Sequence, residues 1–244
     1  MRPGWAAVGP APGEGFMACA MHGPEPGRTA TGTSEAEALD AAGVKGGRVV
    51  RVDHGPALSL PAPILPESGP DLPPLAQEQP RDLVSGWLRL RVAGALAEDR
   101  NWDGVICAAE GGVSHWLHVS ANEVVSSRGF LTWRLVTALG GAPDRADMTA
   151  LTDSLSRPAQ LAADLRSAEL GGDTAAMTGH LIGAELAAAR PYWLGQEVIV
   201  VHPSATASSH ARALTAQGVP VSAKKPDRLL GKGLGVLGMA LGLS

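Results

Sequence analysis

Aromatic side chains are scarce in this sequence: six Trp, two Phe and one Tyr serve 244 residues. The core must therefore be aliphatic and Ala-based, and there is little from which to build the stacking platforms that hold single-stranded nucleic acid. Cysteine is scarcer still. Cys19 and Cys107 cannot form a disulfide framework for a chain this long, and neither stands in a CxxC or Cys/His zinc spacing. The expectation is two buried thiols in a reducing, cytoplasmic compartment, with no metal site. Charge of one sign is missing as well: the net charge is -4 and the longest basic run is Lys224-Lys225, so a nucleic acid or anionic membrane partner is not expected. Long apolar runs are absent. The N-terminus lacks the basic and apolar regions of a signal peptide, and the apolar stretch 229–243 is broken by Lys232 and by four glycines before Leu241, too short and interrupted to span a bilayer.

What the chain has in abundance is Gly, with 31 residues, and Pro, with 19. Residues 4–8 and 16–21 flank a Gly/Pro turn and read as a hairpin, and the β-branched run 48–52 reads as a third strand. Ser34 followed by Glu37, with Gly43 at the far end, predicts a short helix with a capping box. Eight prolines fall within residues 56–80, a density that predicts a linker or long surface loop. Beyond it, 82–98 has helical apolar spacing; 104–109, 115–119 and 123–127 read as strands. Helices follow at 130–139, 146–155, 158–169 and 174–190, then a strand at 196–201, a helix at 205–217, a strand at 219–222 and a helix at 227–240. Strands that first meander and then alternate with helices predict a mixed α/β fold.

Chemistry-bearing motifs are few. Gly233-Leu-Gly235-Val-Leu-Gly238 matches GxGxxG, but no strand leads into it and only six residues follow, so a glycine-rich helix packed on a neighbour is the stronger reading than dinucleotide binding. His115 and His118, three apart in a strand, point to opposite faces, so a shared metal is not expected. Ser114 lacks the elbow of a nucleophilic serine. The carboxylates Asp71, Glu78, Asp82, Glu110 and Glu185 are scattered. Two places remain. Glu110-Gly111-Gly112-Val113-Ser114, between two strands, could offer backbone N–H groups to an anion or form a plain hairpin turn. Gly179 and Gly183, early in an Ala-rich helix, suggest tight packing or a ligand at that end.

With these residues in view, the chain resembles the 2-dehydro-3-deoxygalactonate kinases, most clearly from about residue 80 onward. Pro80-Arg-Asp82-Leu-Val-Ser-Gly86 is similar to the family's P-x-D-V-M-R-G. Gly104-Val-Ile-Cys107 and Ser114-His-Trp116-Leu-His-Val119 resemble its G-L-V-x-L-P-G-T-H-S-K-W-V strand and loop. Arg128-Gly-Phe130-Leu-Thr132 resembles R-T-F-M-T-G-E, His180-Leu-Ile-Gly-Ala-Glu-Leu186 resembles L-L-I-G-A-E-L, and Gly233-Leu-Gly-Val-Leu237 resembles the closing R-G-L segment. The resemblance implies an actin-like, ribonuclease-H-like ATPase fold with mixed sheets flanked by helices. It also implies ATP-dependent phosphorylation of a sugar acid, with ATP and Mg²⁺ as cofactors.

The departures from the family pattern fall on polar positions. Its Glu-Glu-Thr after Gly86 becomes Trp87-Leu88-Arg89; the Thr, His and Lys before Trp116 become Gly112, Val113 and His115; the Gly-Glu after Thr132 becomes Trp133-Arg134. The family's D-W-G-T-S at the first strand is absent from Trp5-Ala-Ala-Val8-Gly9-Pro10. The resulting expectation is an abbreviated N-terminal lobe over 1–80 and a ribonuclease-H-like lobe over 81–244, with kinase activity weak or lost. The retained positions would be Gly111, Ser114 and Thr132 on the substrate side, and Gly179 and Gly183 on the nucleotide side. The ligand would be a small sugar acid or a nucleotide, with a homodimer as a further possibility. The alternatives are an active kinase using relocated carboxylates such as Asp53, Asp71 or Glu110, and a non-catalytic interaction protein.

Overall fold

The computed structural model describes residues 4–66, 68–203 and 208–243. The chain divides into two compact units, Met1–Asp103 with Val119–Ser127 and Pro226–Ser244, and Gly104–His118 with Arg128–Lys225. The expected boundary after residue 80 falls inside the first of these, which also takes back the C-terminal helix.

The first unit is built on β1 (Trp5–Pro10), β2 (Phe16–His22), β3 (Glu25–Gly32) and β4 (Arg48–Val52), with helix α1 (Glu35–Ala41) between the last two. Strand β1 pairs antiparallel with β2 and parallel with β4. Side-chain alternation divides β1 between two faces. Ala6 and Val8 pack with Ala18, Ala20, Ala38 and Ala42 beneath α1, while Trp5 and Ala7 pack with Met21, Val52 and Trp87 on the other side. The capping box expected at α1 is present: the Ser34 side chain accepts from Glu37 N, while the Glu37 carboxylate accepts from the backbone and hydroxyl of Thr33.

The proline-rich segment is not a linker. It contributes β5 (Leu58–Ser59), β6 (Ala62–Pro63), β7 (Asp71–Leu72) and β8 (Leu75–Glu78). Strand β7 extends the main sheet beside β4, and β5 and β8 form a small sheet with β9 (Arg81–Val84). Proline density does exclude helix here, but short strands form between the prolines, and the one proline inside a strand, Pro63, lies in β6 at a sheet edge. The segment is held by Arg89, which is fully buried and donates to the carbonyls of Pro63, Ile64 and Pro73. Burial lowers the Arg89 pKa to about 10, partly opposed by the charge of Asp53. Residues 82–84, expected as helix, lie in β9; Ser85 then caps helix α2 (Gly86–Ala95) by accepting from Leu88 N.

Helix α2 packs closely on the C-terminal helix, Pro226–Ala240. A Cβ at Gly94 would overlap the Leu229 carbonyl, one at Gly233 would overlap the Leu90 carbonyl, and one at Gly238 would stand 2.9 Å from the Trp5 ring. The GxGxxG glycines are thus accounted for by packing.

The second unit contains β10 (Gly104–Glu110) and most of β11 (Val113–Ser120). The hairpin of β11 and β12 (Glu123–Phe130) has its far end in the first unit, where Val124 pairs with Ala62. Strands β13 (Val198–Val201) and β14 (Val221–Lys224) continue the sheet, with β10, β13 and β14 parallel. The helices are α3 (Thr132–Ala138), α4 (Met148–Ser156), α5 (Leu161–Gly171), α6 (Thr174–Ala188), α7 (Arg190–Trp193) and α8 (Ser209–Ala216). The helix expected from residue 205 begins at Ser209; its expected start lies outside the described residues. The core joins Val105 and Cys107 of β10 and Trp116 of β11 to Leu151, Ile182, Leu186 and Leu214 of the helices. The molecule is a mixed α/β fold, as expected.

Candidate functional site

In parallel sheets, ligands are taken up beyond the carboxyl ends of the strands, where loops diverge. In the second unit those ends are Glu110 of β10, His202 just after β13, and Lys224 of β14. The turn after β10 is Gly111-Gly112, with φ of 56° and 80°, backbone angles that glycine adopts without penalty. Arg134 lies along this turn. Its Nε donates to the Gly111 carbonyl at 3.1 Å and its backbone N to the Gly112 carbonyl at 3.1 Å. A Cβ at Gly112 would stand 2.7 Å from Arg134 Cγ.

Ser114, two residues before Trp116 on the same face of β11, is 1% exposed, and its hydroxyl has no hydrogen-bond partner among the described residues. Trp116 points to a buried polar centre. Its indole donates to Glu185 Oε1 at 2.8 Å, and His210 Nε2 lies 3.0 Å from the same oxygen. The Thr132 hydroxyl also acts on this carboxylate. Burial alone would raise the Glu185 pKa; the charge of His210 and the hydrogen bonds from His210, Thr132 and Trp116 outweigh it, so the carboxyl is held below its ordinary range. Cys107 borders the pair, and burial, with the Glu185 charge, pushes its thiol well above the usual range. The rings of Trp133 and His210 lie 5.8 Å apart, and those of Trp133 and His202 6.3 Å.

Of the residues singled out from the sequence, Thr132 and Ser114 thus lie in or beside this centre, and Gly111 is tied to Arg134. Gly179 and Gly183 face elsewhere. A Cβ at Gly179 would overlap the Asp147 carbonyl and stand 3.1 Å from Ala150 Cβ; one at Gly183 would overlap the Leu151 carbonyl. Both serve the crossing of α6 on α4, the packing alternative that the sequence left open. The centre around Glu185 was missed. The available signal was a single carboxylate in a helix otherwise rich in Ala, Leu, Ile and Gly, but its partners are 69 and 25 residues away.

In the first unit, the carboxyl end of β1 is closed by backbone and indole. Trp87 is fully buried and its Nε1 donates to the Pro10 carbonyl at 2.7 Å. A Cβ at Gly9 would overlap the Val52 carbonyl. Asp53, at the end of the neighbouring β4 with φ 58°, accepts from Gly86 N at 2.5 Å. A cavity of about 440 Å³ in this unit is bordered by Arg48, Pro70 and Leu241. Among the described residues no helix is long and apolar enough to cross a membrane.

Comparison with known proteins agrees with the resemblance. Residues 144–237 match the family model for 2-keto-3-deoxy-galactonokinase. No curated protein matches the chain. Among solved structures, a "putative 2-dehydro-3-deoxygalactonokinase protein from Sinorhizobium meliloti" is similar in fold, with a TM-score of 0.77 at 18% identity. The match covers 97% of this chain and 98% of that one, so the two folds are closely alike in extent. The family resemblance holds in sequence over 144–237, and the fold holds over nearly the whole chain.

Proposed function

We propose, from the premise that residues 144–237 carry the 2-keto-3-deoxy-galactonokinase pattern, that this chain keeps the ribonuclease-H-like architecture of a sugar-acid kinase while its transfer of phosphate from ATP is weak or absent. What remains is binding of a small sugar acid or a nucleotide in the cytoplasm. The observation that carries this reading is the end of β1. Phosphoryl transfer depends on metal, positioning and neutralisation of charge, and Mg²⁺ requires oxygen ligands in near-octahedral array. Gly9 and Pro10 offer no side-chain oxygen, the Pro10 carbonyl accepts from Trp87, and Asp53 Oδ1 caps α2. These residues do not fit a Mg²⁺ site. Each missing stabilising donor costs about 3 kcal/mol of barrier, so several together leave little rate.

For binding, the carboxyl ends of β10, β13 and β14 supply the most suitable surface: Arg134 beside the Gly111-Gly112 turn, Lys224, and the indole of Trp133. A second reading, an active kinase, is favoured by one observation: Asp53 stands at the carboxyl end of β4, parallel to β1 and next to it. Melting curves with Mg-ATP, with 2-dehydro-3-deoxygalactonate and with both test the binding. A ligand at a hundred times its Kd adds about 2.7 kcal/mol of stability. A shift with the acid or the nucleotide is expected; no shift with any mixture would leave only an interaction protein.

A further inference from the structure

Cys107, Glu185 and His210 come from three elements, β10, α6 and α8, and meet in the core of the second unit. We propose that they form a resident site for a divalent transition ion of the zinc class, with Cys107 Sγ, a Glu185 oxygen and His210 Nε2 as ligands. This inference is independent of whether the chain transfers phosphate.

Each of the three residues is no more than 3% exposed, and their ligand atoms lie within 4.8 Å of one another. Tetrahedral zinc with such donors holds its ligand atoms roughly 3.3 to 3.6 Å apart. His210 and Glu185 already stand at 3.0 Å, so closure requires movement of about an ångström, chiefly by the thiol. Thiolate, imidazole and carboxylate together form a borderline-soft set that suits zinc and disfavours Mg²⁺. The charges also balance: a divalent ion beside one thiolate and one carboxylate is neutral overall, whereas an uncompensated charge in such a core is costly.

The surroundings are those of a supported ligand. Trp116 donates to Glu185 Oε1 at 2.8 Å and the Thr132 hydroxyl acts on the same carboxylate, the kind of outer contact that orients a metal-binding carboxylate. Glu185 Oε2 is buried and accepts no hydrogen bond of normal geometry among the described residues; buried carboxylate oxygens are seldom left so. An ion pair with a neighbouring core thiol would leave both this oxygen and Cys107 Sγ idle, whereas a metal uses one or both. Three protein ligands leave a fourth position open.

The test is metal content and spectroscopy of the full, untagged chain. Expressed with zinc in the medium and desalted, it is expected to carry about one zinc per chain by elemental analysis, with Cys107→Ser and His210→Gln each falling to roughly a tenth. Cobalt added to metal-free protein should give visible d–d bands and a near-ultraviolet thiolate-to-cobalt band. These should persist in Cys19→Ser and vanish in Cys107→Ser. Wild-type protein with only trace metal and no cobalt bands would overturn the proposal, as would zinc retained undiminished by Cys107→Ser. Should the variants fail to fold, the cobalt spectra of the wild type and of Cys19→Ser decide, since Cys107 is then the only source of the thiolate band.

Discussion

Gly183→Ala is the substitution that discriminates most sharply between helix packing and ligand binding at α6. In an isolated helix the change is favourable by about 1 kcal/mol. Here the new Cβ would overlap the Leu151 carbonyl and stand 3.0 Å from both the Leu151 carbonyl carbon and Leu155 N. Those are backbone atoms of α4, which cannot rotate aside, so α4 must retreat by about an ångström. A gap of that size forfeits a quarter to a half of each dispersion contact along the crossing, and overpacking of this kind costs about 1–3 kcal/mol. Allowing for the gain in propensity, the net loss is about 1 kcal/mol, or roughly 3 °C in Tm for a domain of this size. Gly171→Ala provides the control, because it lies in α5 of the same unit and a Cβ there meets nothing within 4 Å. It should be neutral or slightly stabilising. Differential scanning calorimetry of the two variants reads both effects. If Gly183→Ala melts at or above the parent temperature, α4 is not seated against Gly183 and the packing argument fails.

Three further outcomes are expected. Arg89→Met removes the donor to three carbonyls in the proline-rich segment; each buried carbonyl left bare costs about 1–3 kcal/mol, so chemical denaturation should show a loss of about 3 kcal/mol or more, and limited proteolysis should cut within 56–80 faster. Parental cleavage rates would contradict the clasp. Trp87→Ala should cost about 3–5 kcal/mol and, if the indole fills a former ligand space, increase the melting shift given by Mg-ATP; destabilisation without any gained binding would make Trp87 ordinary core. Glu37 has its pKa lowered chiefly by the Thr33 hydroxyl. Its capping contribution is therefore present at neutral pH and lost as pH falls through the folded value. Carboxyl NMR titration should find the Thr33→Val variant returned toward the ordinary value of about 4.3, and an unchanged titration would contradict the contact.

Local chemistry made parts of this fold legible in the sequence. Ser34 and Glu37 announce α1 because capping involves neighbours, although Glu37 takes its donors from Thr33. Gly233 and Gly238 are readable as packing glycines because no strand leads directly into them: β14 ends at Lys224, and they lie well inside the helix that follows. The proline-rich segment was misread because its order is imposed from outside: its strands are short, and the residue that holds three of its carbonyls, Arg89, comes later in the chain. Residues 82–84 have helical spacing, yet β8 recruits them into a sheet and leaves Leu83 56% exposed. The Glu185 centre has the same origin. No spacing rule links Cys107, Glu185 and His210, which meet only after β10, α6 and α8 have packed.

The central claim is that a sugar-acid kinase fold is retained without effective phosphoryl transfer. Its most direct test is ADP formation by the purified full chain with Mg-ATP and 2-dehydro-3-deoxygalactonate, followed by a coupled assay at substrate concentrations covering the binding range. The account predicts no acid-dependent ADP above the rate without protein. Repeated turnover that requires the acid and is abolished by Asp53→Asn, in a variant that still folds, would contradict it and establish Asp53 as a carboxylate the active site depends on.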